Sequence, residues 1–167
     1  MDIRSQRITP FLWFDHEAEE AARFYTAIFP NSKITETLRY TKEGAAGAGR
    51  REGEVMTVAF ELDGQEFTAL NGGPVFKFTE ALSLVVNCAS QAEVDHYWER
   101  LGAGGDAKAQ QCGWLKDRYG LSWQIVPTEM FELLGDADRG RAGRAMQAML
   151  GMKKIDLAAM QAAADSA

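Results

Sequence analysis

One strand–helix pair occurs twice in this chain at a constant spacing, and that repetition restricts the fold more than any other feature. "ITPFLWF" (8–14) reads as a strand and "HEAEEAARFYTAIF" (16–29) as a helix. "ALSLVVN" (81–87) and "SQAEVDHYWERLG" (90–102) repeat the pair. Each helix has apolar residues at i, i+3, i+4 and i+7, which lines up one stripe for burial. The stripes are Ala21, Phe24, Tyr25 and Ile28, then Val94, Tyr97, Trp98 and Leu101. A single offset maps each residue of the first stripe onto its counterpart and also carries Ile8 onto Ala81. Asp15 precedes the first helix as a candidate N-cap, and Ser90 with Glu93 makes a capping box at the second. Unrelated amphipathic helices share such stripes often, but the matching strand before each one favours duplication.

Strand-like segments follow both helices. After the first come "SKITETLRYT" (32–41), "VMTVAFEL" (55–62) and "EFTALN" (66–71), with Asp63-Gly64 as a tight hairpin turn. After the second come "QQCGWLKD" (110–117) and "LSWQIVP" (121–127), with a turn at Tyr119-Gly120. By composition "GAAGAGRREG" (44–53) and "GAGGDA" (102–107) read as flexible loops. Beyond Thr128 the chain turns helical, with "AGRAMQAML" and "IDLAAMQAAA" separated by Gly151. The reading is an α+β chain: a βαβββ module over 1–73, a second βαβββ module over 74–128 after a Gly72-Gly73-Pro74 linker, and a helical tail over 129–167.

Composition narrows the function classes. A chain of 167 residues fits one domain or two fused small modules. A net charge of −6 argues against a nucleic-acid partner, which calls for a basic face. No apolar run approaches the roughly 20 residues of a membrane span. "MDIRSQRITP" lacks the apolar core of a signal peptide. Cys88 and Cys112 are too few for a disulfide framework or a cysteine-based zinc site, so a reducing cytoplasm is expected.

Three blocks, "FLWFDHEAEEAARFYTAIFP", "LDGQEFTALNGGPVFKFTEALSLVVNC" and "CGWLKDRYGLSWQIVP", resemble the vicinal oxygen chelate superfamily, and within it the PhnB-like branch. Members of that branch often carry the label 3-demethylubiquinone-9 3-methyltransferase, and the tail "RAMQAMLGMKKIDLAAMQAA" fits the same branch. The resemblance implies that each module curls its strands into a U with its helix outside, making a curved mixed sheet around a cleft. Strand alternation then turns Thr9, Phe11 and Trp13 inward, with Ala81, Ser83, Val85 and Asn87, and with Ser122, Gln124 and Val126. Leu82, Leu84, Val86, Trp123 and Ile125 take the helix side.

The superfamily holds its metal with His, Gln or Glu from four strands. Carried onto this chain, those positions fall on Thr9, on Thr68 or Ala69, on Ala81 and on Gln124. Thr and Ala offer no imidazole or carboxylate, and a lone amide is a weak ligand. His16 at a helix start and His96 on the polar face of its helix both read as solvated. No metal site and no other cofactor is therefore expected. Cys112 beside Gly113-Trp114 reads better as a small, partly buried strand residue than as a reactive thiol. Asp106, Asp117 and Glu66 read as solvated strand-end carboxylates. A methyltransferase of the common kind needs a Gly-rich turn between a strand and a helix of a doubly wound sheet, and "GAAGAGRREG" does not read so.

The inward positions do offer aromatic surface with a few hydrogen-bonding groups, the makeup of a small-molecule pocket. Candidate ligand-binding residues are Thr9, Phe11, Trp13, Asn71, Ser83, Asn87, Trp114 and Gln124, with Phe76 and Phe78 beside them. Trp98, Trp123 and Tyr25 belong to the core. Three readings compete: a metal-free small-molecule binder, an enzyme with atypical ligands such as Gln124 with Glu66, and a dimeric scaffold with a filled cleft. The first is preferred. Ala142, Met146, Met149 and Leu150 form one tail stripe and Leu157 and Met160 another, which suits a homodimer contact.

Overall fold

The computed structural model describes residues 6–166, which divide into two compact units between Lys77 and Phe78. Both are mixed α+β, as expected. The first unit runs β1 (Phe11–Phe14), α1 (Ala18–Thr26), β2 (Lys33–Arg39), α2 (Lys42–Ala48), β3 (Val55–Leu62) and β4 (Gln65–Asn71). Its sheet has the order β1-β4-β3-β2, with β1 parallel to β4 and the other pairs antiparallel. Alternation sorts the side chains of each strand onto two faces. Leu12, Phe14, Val58, Phe60, Phe67 and Ala69 are buried on the helix side. Tyr25 of α1 stacks on Phe60 at 6.3 Å, and Phe60 on Phe67 at 5.6 Å. Each such buried ring contributes about 1.5–3 kcal/mol of hydrophobic stabilisation. The β3–β4 turn is the anticipated two-residue hairpin, with φ of 47° at Asp63 and 79° at Gly64.

Two local expectations are corrected in this unit. Helix α1 begins at Ala18, and Asp15 does not cap it. The Ala18 N–H donates to Asn71 Oδ1 at 2.8 Å, so a side chain from β4 supplies the missing acceptor. The glycine-rich stretch from 44 is not a loop, because α2 occupies its first half. Thr41 Oγ1 accepts from Gly44 N, Ala45 is buried, and Gly49 closes the helix in the left-handed conformation at φ 65°. Capping and burial outweigh glycine's cost of about 1 kcal/mol per interior helix position.

The second unit repeats the plan in shortened form: β5 (Ser83–Cys88), α3 (Gln91–Gly102), β6 (Trp114–Lys116) and β7 (Ser122–Pro127), in sheet order β5-β7-β6. Again the first strand lies parallel to the last, and the last is antiparallel to the one before it. Where the first unit has β2, the second has a 3-10 turn, Ala107–Ala109, capped by Asp106. The cap forms with its return bond shifted by one residue: Ser90 Oγ accepts from Glu93 N, and Glu93 Oε2 accepts from Ala89 N at 2.7 Å.

The strand expected from 81 starts only at Ser83. Thr79 holds residues 80–82 in a turn, accepting from Ala81 N through its hydroxyl and from Leu82 N through its carbonyl. Leu82 is therefore exposed rather than on the helix side. The strand expected over 110–117 shrinks to Trp114–Lys116, because Cys112 and Gly113 sit at φ 50° and 84° in a turn.

The tail forms α4 (Met130–Leu134), α5 (Arg139–Leu150) and α6 (Leu157–Asp165). It closes a second core of Val126, Met130, Leu133, Ala145, Ile155, Met160 and Ala164. The Cys112-Gly113 turn donates both N–H groups to the tail, to Met152 O and Lys153 O at 2.8 Å each. Gln91 of α3 donates to Ile155 O and accepts from Leu157 N, both at 2.9 Å. The tail thus packs on its own unit, leaving Met146 and Leu150 exposed. No helix among the described residues is long and apolar enough to cross a membrane.

Candidate functional site

The faces turned away from the helices carry the expected residues. On the first sheet, register places Phe11, Thr68, Ala59 and Glu36 in one row across the four strands. Of the two residues weighed for this strand, Thr68 is on the open face and Ala69 is fully buried on the helix side. The next row runs Glu66, Glu61 and Lys33, and parallel pairing carried two residues back from Phe11 brings Thr9 beside Glu66. Thr9, Thr35, Glu36, Glu61, Glu66 and Thr68 line a cavity of about 640 Å³ on this face. A β-bulge shapes its far side. Ile34 pairs with Phe60 and Glu36 with Ala59, so Thr35 is the extra residue. Two bulge residues against one turn both Thr35 and Glu36 toward the open face, where strict alternation would turn only one.

Two expected members of this site have other jobs. Asn71 lies on the helix side and is buried. Its Oδ1 holds α1 and its Nδ2 donates to Val55 O at 3.1 Å, which leaves its amide committed to the fold. Trp13 donates its indole N–H to Gly73 O at 2.9 Å and meets Phe76 edge-on at 4.9 Å. A Cβ on Gly72 would stand 2.3 Å from the ring, so the linker glycine is what lets Trp13 lie there. Phe11, by contrast, is 59% exposed.

On the second sheet Val85, Gln124 and Trp114 form one row and Ser83, Ser122 and Lys116 the next, with Asn87 beyond. Gln124 donates its amide to Ser83 Oγ at 2.9 Å. Four expected site residues, Ser83, Asn87, Trp114 and Gln124, therefore share one face. Ser122 is buried there, and its Oγ has no hydrogen-bond partner among the described residues. Glu80 sits beside this face, its carboxyl held below the usual range by a 2.6 Å bond from Lys116.

Two of the three strand-end carboxylates, Asp117 and Glu66, differ from expectation, while Asp106 is exposed as expected. Asp117 is buried rather than solvated, accepting from Tyr119 N, Leu121 N and the Trp123 indole at 2.8–3.1 Å. Asp106 caps the 3-10 turn. Glu66 is partly buried, and the Gln6 amide brackets its backbone at 2.9 Å on both sides. The opposition of Glu61 and Glu66 was missed in the sequence, although "ELDGQE" contains the signal: a two-residue turn at Asp63-Gly64 forces the two glutamates into register. The bulge at Thr35 has no such signal. His16 and His96 are exposed, as expected. Burial pushes the Cys88 thiol up to about 11.

The arrangement invites comparison with known proteins. The family described as 3-demethylubiquinone-9 3-methyltransferase matches residues 6–126. This chain belongs to that family. The PhnB protein of Bacillus cereus is 37% identical over 74% of this chain and all of its own, with a TM-score of 0.64. Protein PA1353 of Pseudomonas aeruginosa is 20% identical, covering 72% of this chain and 96% of its own, at a TM-score of 0.57. The fosfomycin resistance protein FosX of Listeria monocytogenes is 16% identical, covering 80% and 98%, at 0.52. The last two show likeness of fold. No match was found among the curated proteins.

The metal positions that the resemblance implies fall here on residues that do not fit a metal. Thr9 and Thr68 offer hydroxyls on the first sheet, Ala81 stands in the turn before β5, and the Gln124 amide already binds Ser83. Among the described residues no three His, Cys, Asp or Glu converge as metal donors. The family's description also names a methyltransferase. The strand that precedes the glycine-rich stretch, β2, is an antiparallel edge strand, and Gly44 and Gly47 lie inside α2. That is not the turn that cradles a nucleotide in a doubly wound sheet.

Proposed function

We propose that this protein binds a small molecule on the family's scaffold without the superfamily's metal. The observation that carries the reading is the cavity on the open face of the first sheet. Its volume of about 640 Å³ lies within the range of small-molecule sites, ~300–1,000 Å³. Thr9 and Thr68, where the resemblance would place metal ligands, line it with hydroxyls that bind ligands but hold a divalent ion poorly. FosX of Listeria monocytogenes is complexed with Mn(II) and sulfate, so a protein of this fold takes ligands. Phe11, Ser83, Asn87, Trp114 and Gln124 remain the candidate contacts outside that cavity. Two free cysteines suit a reducing cytoplasm. A homodimer is proposed as well, its contact drawing on exposed Phe131, Met146 and Leu150.

Elemental analysis of purified protein should find no stoichiometric zinc, iron or manganese. A thermal-shift screen should find compounds that raise the melting midpoint, since a ligand of the native state stabilises it by mass action. Gln124→Ala should leave metal content unchanged and cost about 1 kcal/mol, the value of one hydrogen bond. Stoichiometric metal that this variant loses would establish the alternative, an enzyme with atypical ligands.

A further inference from the structure

The chain contains one Asn-Gly pair, Asn71-Gly72 at the end of β4. An asparagine followed by glycine is chemically labile, because no side chain hinders the glycine nitrogen on its way to the neighbouring carboxamide carbon. Here the fold calls for both residues. Asn71 accepts from Ala18 N at 2.8 Å and donates to Val55 O at 3.1 Å, and an ionised carboxylate can only accept. Gly72 has to lack a Cβ, since one would stand 2.3 Å from the Trp13 ring. A reactive pair is therefore built into the end of the strand.

The same fold holds the pair still. Ring closure needs Gly72 N to swing onto Asn71 Cγ, so both the side chain and the peptide between them must turn. The bonds to Ala18 and Val55 fix the carboxamide at both ends. The peptide is fixed at both ends too: the Tyr40 hydroxyl donates to Asn71 O at 2.7 Å, and Gly72 N donates to Phe14 O at 2.9 Å. Asn71 is only 7% exposed, which keeps out the base and the water that the reaction needs.

We propose that Asn71-Gly72 is a modification site opened by unfolding: a chain that loses these bonds deamidates here and cannot regain them. In the opened chain a solvent base removes the Gly72 N–H proton, and the electron pair of that nitrogen attacks Asn71 Cγ. The Cγ–Nδ2 bond breaks, Nδ2 takes a proton from solvent and leaves as ammonia, and a cyclic imide remains. Water then adds to either imide carbonyl. Attack at Cγ restores the ordinary peptide with an aspartate side chain. Attack at the backbone carbonyl carbon gives isoaspartate, with the chain running through the former side chain. One water is taken up and one ammonia released. Neither product fits the native structure. Aspartate puts an oxygen where Nδ2 faced Val55 O, and a charge where the side chain is buried. Isoaspartate adds a carbon to the backbone and pushes Gly72 N off Phe14 O.

The test incubates the intact protein at pH 8, native and in urea above its unfolding midpoint, with peptide mapping by mass spectrometry and an isoaspartate assay. Asn31 and Asn87, both exposed, report what urea does to the chemistry itself. Conversion at Asn71 should be at least about a hundredfold slower in the native protein, since its rate follows the open fraction. Asn31 and Asn87 should differ far less. Tyr40→Phe frees the peptide carbonyl without touching the carboxamide. It should raise native conversion about fivefold, the weight of one hydrogen bond, and leave the rate in urea unchanged. After removal of urea, unconverted chains should refold and isoaspartate chains should not. Asn71→Asp, which supplies the milder product directly, should unfold at lower urea or fail to fold. Native conversion as fast as that in urea overturns the lock, and no conversion in urea overturns the site. An unchanged native rate in Tyr40→Phe removes that bond from the lock. Converted chains that regain the original urea midpoint, or an Asn71→Asp variant that matches it, overturn the one-way step.

Discussion

The Asn71 carboxamide joins three segments, taking the first N–H of α1 on one side and giving its own to Val55 on the other. Asn71→Ala leaves the buried Ala18 N–H without a bond, at about 1–3 kcal/mol, and frees the partly buried Val55 carbonyl as well. Urea unfolding should show the loss, and ligand affinity of the surviving native protein should not change. Gly72→Ala tests the neighbouring constraint. Its new methyl would collide with the Trp13 ring, and overpacking of this kind costs about 1–3 kcal/mol. The fluorescence and hydrogen bond of Trp13 should change with it. Cys88 and Cys112 should separate by reactivity: Cys88 is buried with its thiol raised to about 11, whereas Cys112 is partly exposed. At pH 8 a thiol reagent should modify Cys112 in the native state and reach Cys88 only on unfolding.

The tail helices are fastened by both apolar contact and charge. Asp136 is held below the ordinary aspartate value of 3.8 by a hydrogen bond from Arg141. Asp165 is lowered by the Gln161 amide and then by Arg141, and Asp95 by Lys154 and then by Gln91. A carboxylate depressed in the fold contributes stability that is complete above its unfolded value. That contribution is lost as the pH falls below 3.8 through the depressed folded values. The melting midpoint should therefore drop on acidification in this window. Arg141→Ala should flatten the drop, and 1 M salt should mimic the variant in part, because these groups are exposed to solvent. Removing the tail after Thr128 would go much further, since it deletes most of the core around Val126. Truncation is thus a test of folding, and the dimer needs a gentler one.

For the whole molecule, that gentler test is a charge placed on the proposed contact. Met146 and Leu150 lie one turn apart on α5 and are 40% and 59% exposed, so Met146→Glu with Leu150→Glu should leave the fold intact. Light scattering should show a dimer for the native protein and a monomer for the double variant. A native monomer, or an unchanged dimer in the variant, would remove this surface from the contact. At this scale the sequence alone determined the α+β class, the duplicated strand–helix unit, the Asp63-Gly64 hairpin and the Ser90 cap, because each is written in local spacing or a short-range bond. It also showed Thr9, Thr68 or Ala69, Ala81 and Gln124 to be poor metal ligands, because donor chemistry belongs to residue type. Tertiary structure decided the rest. Only β4 beside α1 could show that Asn71 caps a helix far away in the chain, and only the turn at Cys112 and the clamp of Gln91 could show where the tail docks. The acidic cavity lies between these cases. Its opposed glutamates follow from a turn readable in the sequence, whereas Thr35 and Glu36 reach it through a bulge. A bulge breaks strand alternation, and alternation is what a reading of strands must assume.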